Sequence, residues 1–390
     1  MSRWPLVPLN EACDQDRKII PPSDSAVGAL PFVGLEQVEA GTGNISLQAG
    51  SRTGEGRSTT FRFDARHVLY GKLRPYLNKV ALPQFEGRCS TELVPLVPRA
   101  NVDREYLAYF LRRPAVIHAV MAANTGARMP RADMDLLLRL HLPLPPISEQ
   151  RRIVDILNRA SGIVRLRREA FERTRQLIPA LFVAIFGDPA TNPKGWTVRK
   201  LDQLMASGPQ NGLYRPASDY GNGTPILRID SFYGGEIEDP SSLRRVQVDD
   251  ATIVKYQLNE DDIVINRVNS RPFLGKSATV PALAEPTVFE SNMMRLSVDK
   301  RCVLPHFVIA LLQSGHARAK FLASAKDAIN QSSINQKDVR SLDVIAPPLE
   351  IQHQFTDRAK DLRATIAQQE RMAKAADDLL ASLMARLFGG

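Results

Sequence analysis

The stretch "PLPPISEQRRIVDIL" (residues 143–157) returns in worn form as "IAPPLEIQHQFTDRA" (residues 345–359). Pro145-Pro146 and Pro347-Pro348 stand 202 residues apart, and Gln150/Gln352 and Phe186-Gly187/Phe388-Gly389 keep that spacing. Proline disfavours the α conformation in the residue before it, and glycine often follows a helix end. The proline pair therefore marks a helix start and Phe-Gly a helix stop. A spacing held from start to stop predicts two helices of equal length, at about 1.5 Å per residue roughly 55 Å each. The first carries Ile153, Leu157, Ala160, Val164, Arg167, Phe171, Thr174, Ile178, Leu181 and Ile185 in alternating steps of four and three. The second repeats the steps with Phe355, Ala359, Leu362, Ile366, Gln369, Ala373, Ala376, Leu380, Leu383 and Leu387. That phasing predicts a coiled-coil seam. Arg167 and Gln369, polar at the same step, would lie near the middle of an antiparallel pair and fix its register. The other reading is two amphipathic helices, each buried against its own domain.

Outward from the helices the likeness is looser. Trp4 and Leu9 resemble Trp196 and Leu201, "FRFDARHVLYGKLRPYLNKVA" (61–81) resembles "YQLNEDDIVINRVNSRPFLGKSA" (256–278), and "CSTELVPL" (89–96) matches "ESNMMRLSV" (290–298). Likewise "GARMPRADM" (126–134) matches "SSINQKDV" (332–339). Short β-rich runs between Gly- and Asn-rich turns precede each helix. The expected fold class is α+β: a tandem, pseudo-twofold repeat of two mixed α/β domains joined by two long antiparallel coiled-coil helices. The expected boundaries are 1–145 for the first mixed domain, 146–187 for its helix, 188–346 for the second and 347–390 for its helix.

The chain has 390 residues, enough for two or three cores. With 44% hydrophobic and 24% charged residues it has the composition of a globular protein. No run nears the roughly 18–20 apolar residues of a membrane span, and no apolar signal core follows the first methionine. Cys13, Cys89 and Cys302 are odd in number and widely spaced. This pattern predicts neither a disulfide framework nor a structural zinc site, and a cytoplasmic location. A formal charge of +9 and a pI near 9.6 point to a polyanionic partner, nucleic acid first.

Enzyme motifs fail on inspection. "LGKSAT" (274–279) lacks the glycine of a phosphate-binding loop, since Ser270 stands where it is required. "NPKGW" (192–196) is not the adenine-methyltransferase tetrapeptide of Asn or Asp, two prolines and an aromatic. His67, His118, His141, His306, His316 and His353 are isolated, without metal-ligand spacing. No catalytic residue and no metal site is expected.

What recurs is basic loops at matching places. Lys72, Arg74, Tyr76, Asn78 and Lys79 crowd the first; Asn266, Arg267, Asn269, Arg271 and Lys276 occupy the second. Arginine and lysine suit guanine or phosphate, and asparagine suits adenine, so these are candidate DNA contacts. Arg128 and Arg131 in "NTGARMPR" (124–131), Gln331 and Ser333 in "NQSSINQK" (330–337), and Arg215 and Arg228 join them. The two polar segments could face DNA or merely cap the element that follows. From Arg151 to Arg175 the first helix carries an excess of arginine, either a solvated face or a surface for DNA or an acidic partner.

On "PLPPISEQRRIVDIL", its copy "APPLEIQHQF", "LYGKLRPYLNKV", "CSTELVPL" and the duplicated domain-plus-helix order, the chain resembles the specificity subunit of type I restriction–modification systems. The likeness covers almost the whole sequence. In the second copy Ile351 replaces the acidic residue before Gln352, and "HQF" replaces the basic pair. The resemblance implies a non-catalytic subunit in which each target recognition domain reads one half of a split site in double-stranded DNA. It implies that the helices set the spacer and dock two methyltransferase subunits, with restriction subunits outside them. It also implies that this chain has no cofactor of its own, S-adenosylmethionine being used by the methyltransferase partner. Two other readings stay open: a coiled-coil adaptor that binds only proteins, and an enzyme with its own nuclease or methyltransferase site.

Overall fold

The computed structural model describes residues 4–47, 58–122, 129–237, 239–329 and 331–389. The chain forms two compact units, one of Met1–Ala170 with Glu370–Gly390 and the other of Phe171–Gln369. The units thus divide within each long helix, not at the helix ends expected from the sequence. Each unit contains one mixed domain, the first part of its own helix and the last part of the other.

In the first unit, strands Cys13–Gln15, Leu93–Pro98, Val68–Gly71 and Val80–Ala81 form one antiparallel sheet in that order. A second sheet orders Ile19–Ile20, Thr60–Phe63, Gly87–Ser90 and Phe32–Val33, the last pairing parallel. Leu6–Pro8 pairs with His141–Pro143 and closes the domain just before the helix starts. The second unit repeats this closure with Val198–Lys200 on Asp343–Ile345. Its strand Ile263–Asn266 pairs antiparallel with Met293–Val298, as Val68–Gly71 does with Leu93–Pro98. The alternation of Val, Ile and Leu in these strands is the pattern of a pleated, buried surface. Val68, Leu69, Ile263, Val264 and Ile265 are fully buried.

The first long helix is not continuous. It runs Ile147–Arg175, breaks at Gln176 and resumes as Leu177–Phe186. Pro179 has no N–H to donate to the carbonyl of Arg175, and its ring crowds that carbonyl. The chain tightens there, with Gln176 N–H donating to Arg173 O at 3.2 Å. The second helix, free of proline after its start, runs unbroken over Leu349–Gly389. At the first helix end Gly187 turns to φ +81°, and Trp196 Nε1 donates to Phe186 O at 2.8 Å while Lys194 Nζ donates to Ile185 O at 2.6 Å. These bonds satisfy carbonyls that a helix end leaves open.

The helix ends are core residues. In the first unit Phe388 packs on Tyr106 at a ring separation of 4.8 Å, and Met384 shares a cluster with Ile153, Val154 and Leu157. In the second, Phe186 lies 4.8 Å from Phe307 and 5.4 Å from Phe355. Of the seam residues, Ile153, Leu157, Val164 and Phe355 are buried; Arg167, Phe171, Ile178, Leu181, Leu362, Ile366, Gln369, Leu380, Leu383 and Leu387 are half-buried. Within the first unit Arg168 pairs with Asp377 at 2.7 Å, and Arg167 reaches Met372 Sδ at 3.8 Å. Gln369 Oε1 is buried without a hydrogen-bond partner among the described residues. Among the described residues no helix is long and apolar enough to cross a membrane.

Candidate nucleic-acid interface

Each unit builds its basic loop in the same way. In the first, the strand Val68–Gly71 runs out into the loop at Lys72, whose N–H donates to Glu92 O at 2.9 Å. The Lys72 carbonyl accepts from Ala132 N–H at 2.7 Å, and Arg74 N–H donates to Pro130 O at 2.8 Å. Leu73 and Arg131 form a single antiparallel bridge. In the second unit Arg267 N–H donates to Asn292 O at 2.8 Å, and the Arg267 carbonyl accepts from Ile334 N–H at 2.9 Å. Val268–Asn269 then pairs with Gln331–Ser333, which pairs with Lys326–Ala328. The described parts of the two polar segments each precede or include the cap of a short helix and also pack on the basic loop. They lie against the basic loops, and Asp133 and Asn335 cap the short helices Met134–Arg139 and Gln336–Arg340 that follow.

The side chains divide into free and committed groups. Lys72 is half-buried and Arg74 exposed, and neither has an acidic partner among the described residues. Tyr76 is exposed. Arg131 pairs with Glu92 at 3.2 Å, Arg271 with Asp327 at 2.5 Å and Arg215 with Asp219 at 3.8 Å. The Arg131 and Arg271 guanidinium groups are exposed, so their pairs exchange with little cost. Gln331 is exposed and Ser333 half-buried, its hydroxyl donating to Lys326 O at 3.5 Å. Asn269 Oδ1 accepts from Ser270 N–H at 2.8 Å.

Several expected contacts are corrected by their surroundings. Lys79 Nζ donates to Leu35 O at 2.6 Å, and Lys276 Nζ donates to Ile229 O at 2.7 Å. Both carbonyls follow equivalent parallel strands, Phe32–Val33 and the end of Tyr220–Leu227. The two lysines are clasps that hold the loop to the sheet. Lys276 also sits 3.9 Å from the Tyr233 ring centroid. Asn266 is fully buried, its Nδ2 donating to Ile229 O at 3.4 Å. Asn78 donates to Arg112 O at 3.0 Å. Arg228 is turned inward to Glu290, Nε to Oε2 at 3.2 Å, and stacks over Tyr220. Arg267 donates to Ser291 O at 3.0 Å. Arg128 lies outside the described residues.

Sequence reasoning missed two sets of residues. Glu92 pairs with Arg131 beside the first loop, and Glu290 pairs with Arg228 and accepts Ile229 N–H at 2.7 Å beside the second. Phe273, beside Arg271, is 45% exposed; the shared "RP" before Tyr76 and Phe273 was the available signal. Among the described residues no group of three or more His, Cys, Asp and Glu is placed to hold a metal ion.

Two mixed domains, each presenting a basic loop laid against a polar segment, define a duplicated reader architecture. The model of the type I restriction modification DNA specificity domain matches residues 1–169 and again 193–374, and the chain belongs to this family. It is similar to the EcoKI specificity subunit of Escherichia coli K12, 24% identical over 315 residues, 76% of this chain and 67% of that one. A putative MjaX specificity subunit of Methanocaldococcus jannaschii is 29% identical over 197 residues, 50% of this chain and 46% of that one. Among solved structures, a chain from a study of complex assembly in the type I restriction–modification system superposes with a TM-score of 0.59 at 19% identity. That match covers 99% of this chain and 97% of the other. The type I S subunit of M. genitalium gives 0.54 at 12% identity over 99% and 96% of the two chains. These two likenesses concern the fold.

Proposed function

We propose that each recognition domain of this DNA specificity subunit reads one half of a split duplex site. The observation that carries the reading is the paired construction around Lys72 and Arg267: the same backbone bonds present two loops of different side chains. Half-buried Lys72 with exposed Arg74 and Arg131 would serve one half-site, and Arg271, Asn269 and Gln331 the other. Different side chains on one scaffold imply different half-sites.

The two helices act as an antiparallel spacer that sets the gap between half-sites. The order of contacts supports this: Ile153 clusters with Phe388 and Arg168 pairs with Asp377 in one unit, and Phe186 meets Phe355 in the other. The remaining helix surface docks two modification subunits, with restriction subunits joining outside, in the cytoplasm. Methyl transfer from S-adenosylmethionine to adenine belongs to that partner; this chain supplies address, not bond chemistry.

The test is methylation mapping on a random DNA library with the chain assembled with its modification subunits. Replacing Lys72 and Arg74 should weaken selection at one half-site only, and replacing Arg271 with Asn269 at the other. Loss of both preferences together would overturn the division of labour. An assembled wild-type complex without sequence preference would favour a protein-only adaptor. Inserting one heptad into either helix should change the tolerated spacer before either half-site changes; an unchanged spacer removes the ruler.

A further inference from the structure

Resting on that reading, we infer that Tyr76 and Phe273 are a matched pair of apolar wedges, one per recognition domain. Each opens a base step irrespective of the half-site sequence. The motif "RPYLNK" (74–79) recurs as "RPFLGK" (271–276), 197 residues on, inside domains that otherwise differ widely. The structure builds it twice with the same support. Lys79 and Lys276 clasp Leu35 O and Ile229 O. Asn78 and Gly275 both take left-handed backbone, at φ 49° and 74°. A side chain at Gly275 would meet the Phe321 ring at 2.5 Å, which is why that copy is glycine. Leu274 is buried and Leu77 half-buried.

Arginine and the aromatic ring are the two groups that both copies turn outward. Tyr76 is 52% exposed and Phe273 45%. Each rides on a short 3-10 turn containing proline, Pro75–Leu77 and Arg271–Phe273, so the ring is presented with little conformational freedom to lose. Arg74 is held in the left-handed region, φ 52°, by its N–H bond to Pro130 O. Strain of that sort at a non-glycine residue persists only when the surroundings impose it, and it gathers at binding sites.

The shared chemistry narrows the role. Phenylalanine has no hydroxyl, so a hydrogen bond from Tyr76 to a base cannot be what the two positions have in common. A feature kept the same in two domains that read different bases serves what the half-sites share: phosphates and base stacking. Arginine suits the phosphate, and an apolar ring inserted at a base step unstacks it. Arg271 would leave Asp327 for the phosphate on binding.

The test uses the chain assembled with its modification subunits and duplexes carrying 2-aminopurine at successive positions of each half-site. Wild type should show a fluorescence rise next to the step that each ring enters. Tyr76→Ala should abolish the rise in one half-site and Phe273→Ala in the other, each weakening binding roughly 5- to 50-fold. Tyr76→Phe and Phe273→Tyr should keep both. Should an alanine variant unfold, Tyr76→Lys and Phe273→Lys, which keep the site exposed and cationic, must still lose the signal. The methylated consensus should stay as in wild type. Unchanged fluorescence and affinity in the alanine or lysine variants would overturn the wedge, as would a changed consensus. A wild-type complex lacking sequence preference would instead overturn the reading on which the wedge rests.

Discussion

Gln150 and Gln352, 202 residues apart, are fully buried and make the same three hydrogen bonds. Gln150 Nε2 donates to Pro145 O and Asn101 O, both at 2.9 Å, and its Oε1 accepts Asp103 N–H at 2.8 Å. Gln352 Nε2 donates to Pro347 O at 2.8 Å and Cys302 O at 3.2 Å, and its Oε1 accepts Leu304 N–H at 2.8 Å. One amide thereby ties the start of each helix both to the proline joint and to the loop that opens a domain helix, Arg104–Leu111 or Pro305–Leu312.

Gln150→Leu or Gln352→Leu strands a backbone N–H and two carbonyls in the interior. Each should cost about 2–3 kcal/mol, since buried unpaired polar groups carry most of their desolvation penalty. Gln354→Leu, on the exposed face of the same helix, should change little. Denaturant unfolding curves of the three variants check this.

Clasping and free cations should behave differently in salt. Arg74→Ala should lower DNA affinity and reduce the slope of log affinity against log salt by about one. Lys79→Met and Lys276→Met should instead lower the thermal midpoint, because each releases a carbonyl that the ammonium now satisfies. A salt titration beside a melting curve separates the two classes.

His306, near Arg363, Glu236, Asp261 and the Thr279 hydroxyl, has its pKa pushed below the usual histidine value, chiefly by burial and then by the Arg363 charge. The native state therefore favours the neutral ring. Its contribution is complete above the unfolded value of about 6.5 and is lost as pH falls below it, where only the unfolded chain takes up the proton. The unfolding midpoint should drop between about pH 7 and pH 5.5, and His306→Gln should flatten that stretch of the profile.

Burial pushes the thiols of Cys13 and Cys89 up to about 12, whereas Cys302 is only half-buried. A thiol reagent at about pH 8 should label Cys302 alone in the native protein, since the thiolate is the nucleophile. All three should react after denaturation. Rapid labelling of Cys89 in the folded chain would contradict its place in the core.

The repeat, the proline joints and the helix phasing were legible because each is a local pattern with a fixed period. Burial at Ile153, Leu157, Val164 and Phe355 could be expected from spacing, since helical burial follows position along the chain. The break at Gln176 was legible in principle from Pro179, but the regular apolar steps on either side masked it. The loop cations were not so legible. Lys72 and Lys79, or Arg271 and Lys276, are alike in sequence, and only the distant carbonyls of Leu35 and Ile229 decide which is clasped to the fold. Asn266 likewise reads as a polar loop residue until the sheet that buries it is assembled. Backbone partners far along the chain, not residue type, drew that line.

Phe186 and Phe388 close the two helices and are planted in the cores of Phe307 and Tyr106. These sockets belong to the two hydrophobic cores and share no residue with the exposed cations of the basic loops. A half carrying a different basic loop would keep this joint if its helix tip brought the same aromatic plug and its domain the same ring to receive it. Each tip works as a plug: it fills a socket of buried rings set apart from the basic loop, so the side chains of that loop can change without loosening the joint.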